Sequence, residues 1–286
     1  SLLLSFTGWN IFGSLSSMTV KQVRSVLLNM FFGININAAD GISKKAGDQI
    51  NQVSVSLTRA INPQMLKSEG VGDRKRMLRI TGMSTKFSLF LFSLFLIPLM
   101  FETSYLLDIW LTKVPEYAVI FIKLNLIAMF LEKSSFELTN AIKAVGNIKK
   151  FTIIESLLRI LNVPIIYFVF KLGYPPQTIF IIYIFISAVI FIERLILGKQ
   201  IANLNISYFL KNSILKVLVP IVFSLSIAWL INFNVQEGFV RFILTTILSM
   251  AVLALIFRYT GMDKREIEIV KGLIYSFKNR MKLKNK

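Results

Sequence analysis

Four basic side chains interrupt segments that are otherwise apolar and long enough to span a bilayer: Arg24, Lys45, Arg59 and Lys123. A charge at the centre of a bilayer costs several kcal/mol when it faces lipid. Such residues therefore indicate helices whose polar sides face water or a protein partner. We interpret the four as fixed positive charges on the wall of a hydrated cavity.

The spacing of polar residues in two segments supports this interpretation. At about 100° per residue, five polar side chains between residues 40 and 62 share an arc of about 80°. They are Lys45, Gln49, Gln52, Ser56 and Arg59. An apolar stripe on another side comprises Ile42, Ala46, Ile50, Val53, Leu57 and Ile61. Residues 5–32 give a second striped helix with Asn10, Ser14, Ser17, Lys21 and Arg24 on one side.

Acidic residues within the apolar segments have two interpretations. Asp48, Glu132 and Glu137 could hold a coupling proton or cation, because burial favours the protonated form of a carboxylate. They could equally neutralise the arginines inside the bundle. Glu155 and Arg159 have the four-residue spacing of an ion pair within one helix, which favours a structural role.

The composition indicates an all-α polytopic membrane protein. Apolar residues make up 55% of the chain and its mean hydropathy is +0.65, whereas a soluble domain has about 45–50% apolar residues. The net charge of +18 does not indicate a nucleic-acid partner, because the basic residues lie between apolar runs. The chain has no Cys and no His and shows no nucleotide-binding or hydrolase motif. We therefore expect no enzyme activity, metal or cofactor.

Eight membrane spans account for the distribution of charge. The predicted spans cover residues 5–32, 38–63, 81–101, 116–141, 151–170, 176–198, 213–232 and 238–258, the second ending near Pro63 and the fifth kinked at Pro164. Most of the 33 Lys and Arg residues then lie in alternate connections, at 64–86, 142–150 and 194–216, and in the tail. By the positive-inside rule, both termini are cytoplasmic. The tail, 262–286, is either a basic amphipathic helix on the anionic leaflet or a solvated topology signal.

Several short motifs carry a resemblance to a known family. They are Gly8-Trp9-Asn10-Ile11-Phe12-Gly13, Leu28-Asn29-Met30-Phe31-Phe32-Gly33, Asn37-Ala38-Ala39, Gly41-Ile42, Ala60-Ile61-Asn62-Pro63-Gln64, Lys67-Ser68, Asp108-Ile109-Trp110-Leu111 and Val114-Pro115-Glu116-Tyr117. As a set they resemble the second half of the Wzx-type oligosaccharide flippases, of the multidrug/oligosaccharidyl-lipid/polysaccharide exporter superfamily. The resemblance covers residues 6 to about 200.

The resemblance implies a fold and a function. Residues 1–200 would form the second six-helix lobe of a two-lobed transporter, 201–260 two additional spans and 261–286 the tail, with the first lobe of the same protein absent from this chain. Such proteins move polyprenyl-pyrophosphate-linked oligosaccharides across the bacterial inner membrane. Asp40 departs from the family pattern, which commonly has a basic residue there.

The implied substrate assigns roles to the polar residues. Arg24 and Arg59 are the first candidates for the pyrophosphate, because a guanidinium binds phosphate oxygens bidentately, and Lys45 and Lys123 follow. Gln49 and Gln52 could bind sugar hydroxyls or hydrogen-bond neighbouring helices.

Other functions stay open. One alternative is a multidrug or cation exporter of the same superfamily, in whose cavity acidic and aromatic residues are expected. Another is a membrane-embedded polysaccharide polymerase or glycosyltransferase, although the longest predicted outer loop is short for a catalytic loop. A non-catalytic membrane scaffold is the fourth possibility.

Overall fold

The computed structural model describes residues 2–146, 148–264 and 266–268, and it shows an all-α polytopic membrane protein. No strand occurs in this part of the chain. Five helical stretches of it are long and apolar enough to cross a membrane: Arg74–Trp110, Lys149–Lys171, Thr178–Ala202, Ile206–Asn234 and Phe239–Gly261. The fold class predicted from composition and hydropathy is confirmed.

The described chain contains nine α-helices. They are α1 (Leu2–Gly70), α2 (Arg74–Trp110), α3 (Ala118–Val145), α4 (Lys149–Ile160), α5 (Asn162–Lys171), α6 (Thr178–Ala202), α7 (Ile206–Phe209), α8 (Leu215–Asn234) and α9 (Phe239–Ile256). A π-helical turn, Leu210–Ile214, joins α7 to α8, and a second one, Phe257–Gly261, follows α9.

A single glycine separates the first two predicted spans. Gly33 has φ 80° and ψ −179°, which breaks α1 into a first arm, residues 2–32, and a second arm, residues 34–70. The arms lie side by side, because Ser25 Oγ donates to Asn37 Oδ1 at 2.7 Å. In a straight helix, twelve residues would separate the two by about 18 Å. The five-residue connection implied by the predicted spans, 33–37, is therefore too long, since Gly33 alone reverses the chain.

Two further boundary predictions are wrong in the same region. The helix does not end at Pro63 but continues to Gly70, with the exposed Pro63 inside it. The basic run predicted as a connection forms the first turns of α2 instead. Asp73 caps that helix by accepting a hydrogen bond from the Arg76 backbone N–H at 2.9 Å. The connection between the two helices is therefore only residues 71–73.

The other predicted spans match the observed helices more closely. α4 and α5 meet at Leu161, three residues before Pro164, because proline cannot bond to the carbonyl four residues earlier. The predicted kink is confirmed. At its C-terminal end, α2 reaches Trp110, nine residues beyond residue 101, where the third predicted span ends.

The core joins all the long helices. Leu28, Phe92, Phe121 and Phe180 are completely buried in one apolar cluster that draws on α1, α2, α3 and α6. Helices α8 and α9 pack on each other and on α2. The division at residues 200 and 260 stays a prediction, and the predicted amphipathic tail lies outside the described residues apart from 262–264 and 266–268.

The helix ends at residues 64–79, 141–150 and 199–216 lie together, and we call this the basic end of the bundle. Met65, Met77, Ala141 and Ala202 form a separate small apolar cluster there. Lys150 Nζ donates to Gln200 Oε1 at 2.9 Å across the same end.

Candidate functional site

A cavity of about 580 Å³ lies between both arms of α1 and helices α3, α4, α5 and α6, and we call it the central cavity. Its polar lining residues include Ser17, Arg24, Lys44, Asp48, Asn51, Asn125, Glu132, Arg159, Asn162 and Tyr183. Arg24, Asp48 and Glu132 are therefore the predicted site residues that the structure brings together. Such a polar wall suits water or a hydrated ligand.

A buried carboxylate holds two of the cations at this cavity. Asp40 is completely buried, and it pairs with Arg24 from the first arm and with Lys44, whose Nζ lies 2.7 Å from Oδ2. The Arg24 guanidinium also lies 4.3 Å from the centroid of the Phe180 ring. Two cations on one carboxylate leave this cluster of three residues with a net charge of +1. Asp40 therefore fixes the position of Arg24.

A second charged network lines the other side of the cavity. Arg159 Nη2 lies 2.8 Å from both Glu132 Oε1 and Glu155 Oε1. Arg194 Nη2 reaches the same Glu155 oxygen at 2.7 Å, although its side chain is only 1% exposed. Tyr183 donates its hydroxyl to Glu132 at 3.4 Å. The predicted pair of Glu155 and Arg159 is confirmed, and it belongs to a larger network across α3, α4 and α6.

A smaller cavity of about 170 Å³ continues from the central cavity toward the basic end. Ser17, Phe136 and Arg159 line both cavities. Lys143 and Thr152 lie in the wall of the smaller one. The network around Arg159 therefore stands between two polar spaces.

The predicted polar stripe on the second arm of α1 lies outside the central cavity. Its members Lys45, Gln49, Gln52, Ser56 and Arg59 are all exposed on the surface of the described chain. The predicted arc is therefore exposed as a whole, and its interpretation as the wall of a hydrated cavity stays a prediction. Their role in binding stays a prediction, because no ligand contact tests it.

The face of this arm that packs into the bundle differs from the prediction. Of the predicted apolar stripe, only Ile50 is buried, and Val53 is 39% exposed. The buried face instead carries small residues such as Ser43, Gly47 and Ser54. In a membrane, apolar side chains are as stable against lipid as against protein, so small residues that allow close approach occupy the interface.

Two other predicted site residues have different surroundings. Glu137 is buried and accepts hydrogen bonds from Thr58 Oγ1 at 2.5 Å and from Asn140 Nδ2 at 3.1 Å, so it joins α3 to the second arm. Lys123 is half-buried and lies outside the lining of the central cavity.

Sequence reasoning missed Lys44 and Arg194 as members of these clusters. Lys44 follows Asp40 by four residues, a spacing that could have revealed the pair. Arg194 lies in a strongly apolar helix, and a buried arginine there requires an acidic partner. That signal could have directed the search to Glu155.

Comparisons with known proteins add no identification. No protein-family model, no curated protein and no solved structure matches the sequence. The resemblance to the oligosaccharide flippases therefore stays a prediction from the motifs.

Proposed function

We propose that this chain forms a lobe of a transporter that moves a polyprenyl-pyrophosphate-linked oligosaccharide across the bacterial inner membrane. The observation that carries the proposal is the exposed stripe of cations and amides on the second arm of α1. The family resemblance supplies the substrate class, and the stripe supplies a surface of matching chemistry.

The depth of the stripe supports the proposal. Ser54 Oγ donates to the Ser88 carbonyl of α2 at 3.2 Å, and the short connection at 71–73 makes the two helices antiparallel neighbours. With equal rise per residue, the stripe from residue 45 to 59 lies level with roughly residues 83–97 of α2. That part of α2 contains the apolar run within 87–101. Lys45, Gln49 and Gln52 therefore lie level with this apolar run, whereas Ser56 and Arg59 lie level with residues 83–86, toward the basic end.

A polar surface at membrane depth needs water or a protein partner beside it. We propose that a second lobe faces the stripe and that the space between them is the hydrated path. Arg59 and Lys45 supply the positive charge that a pyrophosphate requires, and Gln49 and Gln52 supply donors and acceptors for sugar hydroxyls. Because the lipid tail can stay in hydrocarbon, only the headgroup has to cross through water.

The proposal is tested by complementation with the gene that encodes this chain, expressed in full in a bacterium that lacks the corresponding flippase. The test variant combines Lys45→Gln with Arg59→Gln, since both side chains are exposed and their loss leaves the core intact. The control combines Lys67→Gln with Lys199→Gln, two exposed basic residues at the basic end. Two quantities are measured at matched expression. They are the export of surface polysaccharide and the accumulation of lipid-linked oligosaccharide in the cytoplasmic leaflet.

We expect the stripe variant to export at least about tenfold less, which corresponds to ~1.4 kcal/mol of lost headgroup binding. The control variant should export normally. Normal export by the stripe variant would contradict the proposed role of these cations. A cation exporter would behave differently, since removing positive charge from its path would not weaken binding of a cationic drug.

A further inference from the structure

A third cavity lies at the basic end, away from the central cavity and from the stripe. It encloses about 300 Å³ between the first turns of α2, the link from α6 to α7, the π-helical turn before α8, and the residues Asp263 and Glu266. α2 and the π-helical turn approach each other closely here, since a Cβ at Gly82 would lie 2.7 Å from Ser213 Oγ. We call it the boundary cavity, because two apolar helices, α2 and the helix that contains α8, begin beside it.

The cavity presents two basic side chains with no acidic partner in the described chain. Lys75 and Arg79 line it one helical turn apart on α2, and both are exposed. No ion pair or side-chain hydrogen bond involves either residue among the described residues. Two adjacent cations at the rim of a cavity form a site for an anion.

The acidic residues of the same cavity are already neutralised. Lys86 is buried and donates to Glu266 Oε2 at 2.6 Å and to the Gly261 carbonyl at 2.7 Å. Lys216 Nζ lies 2.7 Å from Asp263 Oδ1, and this hydrogen bond lowers the pKa of Asp263, which keeps the carboxyl ionised beside its partner. The wall therefore keeps the excess positive charge of the two unpaired cations.

Apolar residues complete the wall behind these charges. Leu204 and Phe209 are buried at its inner side, and Leu78 lies between the two cations in sequence. Tyr208 borders the cavity with a side chain that is 59% exposed. A cationic rim against an apolar wall at the end of two spans matches the two parts of a phospholipid, its anionic phosphate and its acyl chains. A free phosphate would need only the charges.

We propose that the boundary cavity binds the phosphate of an anionic membrane phospholipid, with Lys75 and Arg79 as its ligands and with the acyl chains along the apolar wall. Bound lipid would then hold the start of α2, the α6–α7 link and the residues Asp263 and Glu266 together. This inference is independent of the transported substrate, because none of its residues belongs to the stripe or lines the central cavity.

Native mass spectrometry of the full chain in detergent tests the proposal. Short-chain phosphatidylglycerol and phosphatidylcholine are titrated separately, and the lipid-bound fraction is measured. The test variant combines Lys75→Gln with Arg79→Gln, and the matched control combines Lys67→Gln with Arg76→Gln, which removes the same charge from exposed positions outside the cavity lining. Inorganic phosphate is titrated in parallel against the thermal unfolding midpoint.

We expect phosphatidylglycerol to bind the unmodified chain in preference to phosphatidylcholine. The cavity variant should bind phosphatidylglycerol about 30-fold more weakly, from ~1 kcal/mol for each basic residue, while the control changes less than about threefold. Equal losses in both variants would overturn the proposal, because they would show general attraction to a basic surface. If inorganic phosphate raises the thermal unfolding midpoint while phosphatidylglycerol binds no better than phosphatidylcholine, the cavity binds free phosphate, and the lipid proposal is wrong.

Discussion

The pairing of Arg24 with Asp40 makes a strong prediction about stability. Asp40 is completely buried, and its partners in the described chain are Arg24, on the other arm of α1, and Lys44, on its own arm. Replacing Arg24 with Met leaves the carboxylate with Lys44 alone. Replacing Asp40 with Asn leaves two cations close together at the wall of the central cavity. Each single variant therefore leaves a buried charge without a partner that compensates it in the unmodified protein.

The magnitude follows from burial. Removing one partner of a buried ion pair costs about 3–5 kcal/mol. We expect about 3 kcal/mol for each single variant, because Lys44 still neutralises Asp40 in one and the Phe180 ring still faces Arg24, 4.3 Å away, in the other. The double variant lacks both charges, so its loss should be smaller than the sum of the singles by about 2 kcal/mol.

The assay is denaturant unfolding of the full chain in mixed micelles, with all four members of the cycle measured together. Arg74 and Glu69, which pair across the short turn at the basic end, serve as the control cycle. Because the Arg74 side chain is 35% exposed, their coupling should stay below about 1 kcal/mol. Additive losses for Arg24 and Asp40, within about 0.5 kcal/mol, would refute the buried pair as the connection between the two arms.

Two glycines on α1 give further predictions. A Cβ at Gly47 would lie 2.6 Å from Met129 Sδ, so Gly47→Leu should destabilise the bundle by about 1–3 kcal/mol. Gly41→Leu, where nothing lies within 4 Å, should change the unfolding midpoint far less, and equal effects would contradict the close packing. Gly33→Ala should cost about 1–3 kcal/mol, because φ 80° with ψ −179° is a conformation open to glycine alone. An unchanged free energy of unfolding would show that the arms do not need this turn.

The long apolar helices could be predicted from hydropathy because lipid selects composition and length directly. A break between residues 32 and 38 could be predicted as well, but not that Gly33 alone would form it, since a one-residue reversal depends on the contacts between the two arms. Pro63 was misleading for a similar reason. A residue before a proline resists the α conformation, yet the helix continues on both sides of the exposed Pro63, so this local preference did not decide where the helix ends.

One part of the candidate site could likewise be predicted from the sequence, and another part could not. Helical spacing placed Gln49, Gln52 and Arg59 on one exposed face, because periodicity is a local property of the chain. The central cavity depends on contacts between distant residues, and the ion pair of Arg194 with Glu155 spans 39 positions. Spacing alone could not show that Arg24 lines the cavity while Arg59 faces away from it.

The central claim is that the exposed stripe borders water at membrane depth. Because the sequence contains no cysteine, single substitutions give an unambiguous label site. Gln52→Cys represents the stripe, Phe185→Cys an exposed apolar face of α6, and Lys113→Cys the exposed turn between α2 and α3. The labelling rate with a charged, membrane-impermeant thiol reagent is measured on the full chain in native membranes opened to both sides. We expect Gln52→Cys to react at a rate close to that of Lys113→Cys and Phe185→Cys to stay unlabelled; a Gln52→Cys protein as unreactive as the Phe185→Cys protein would contradict the claim.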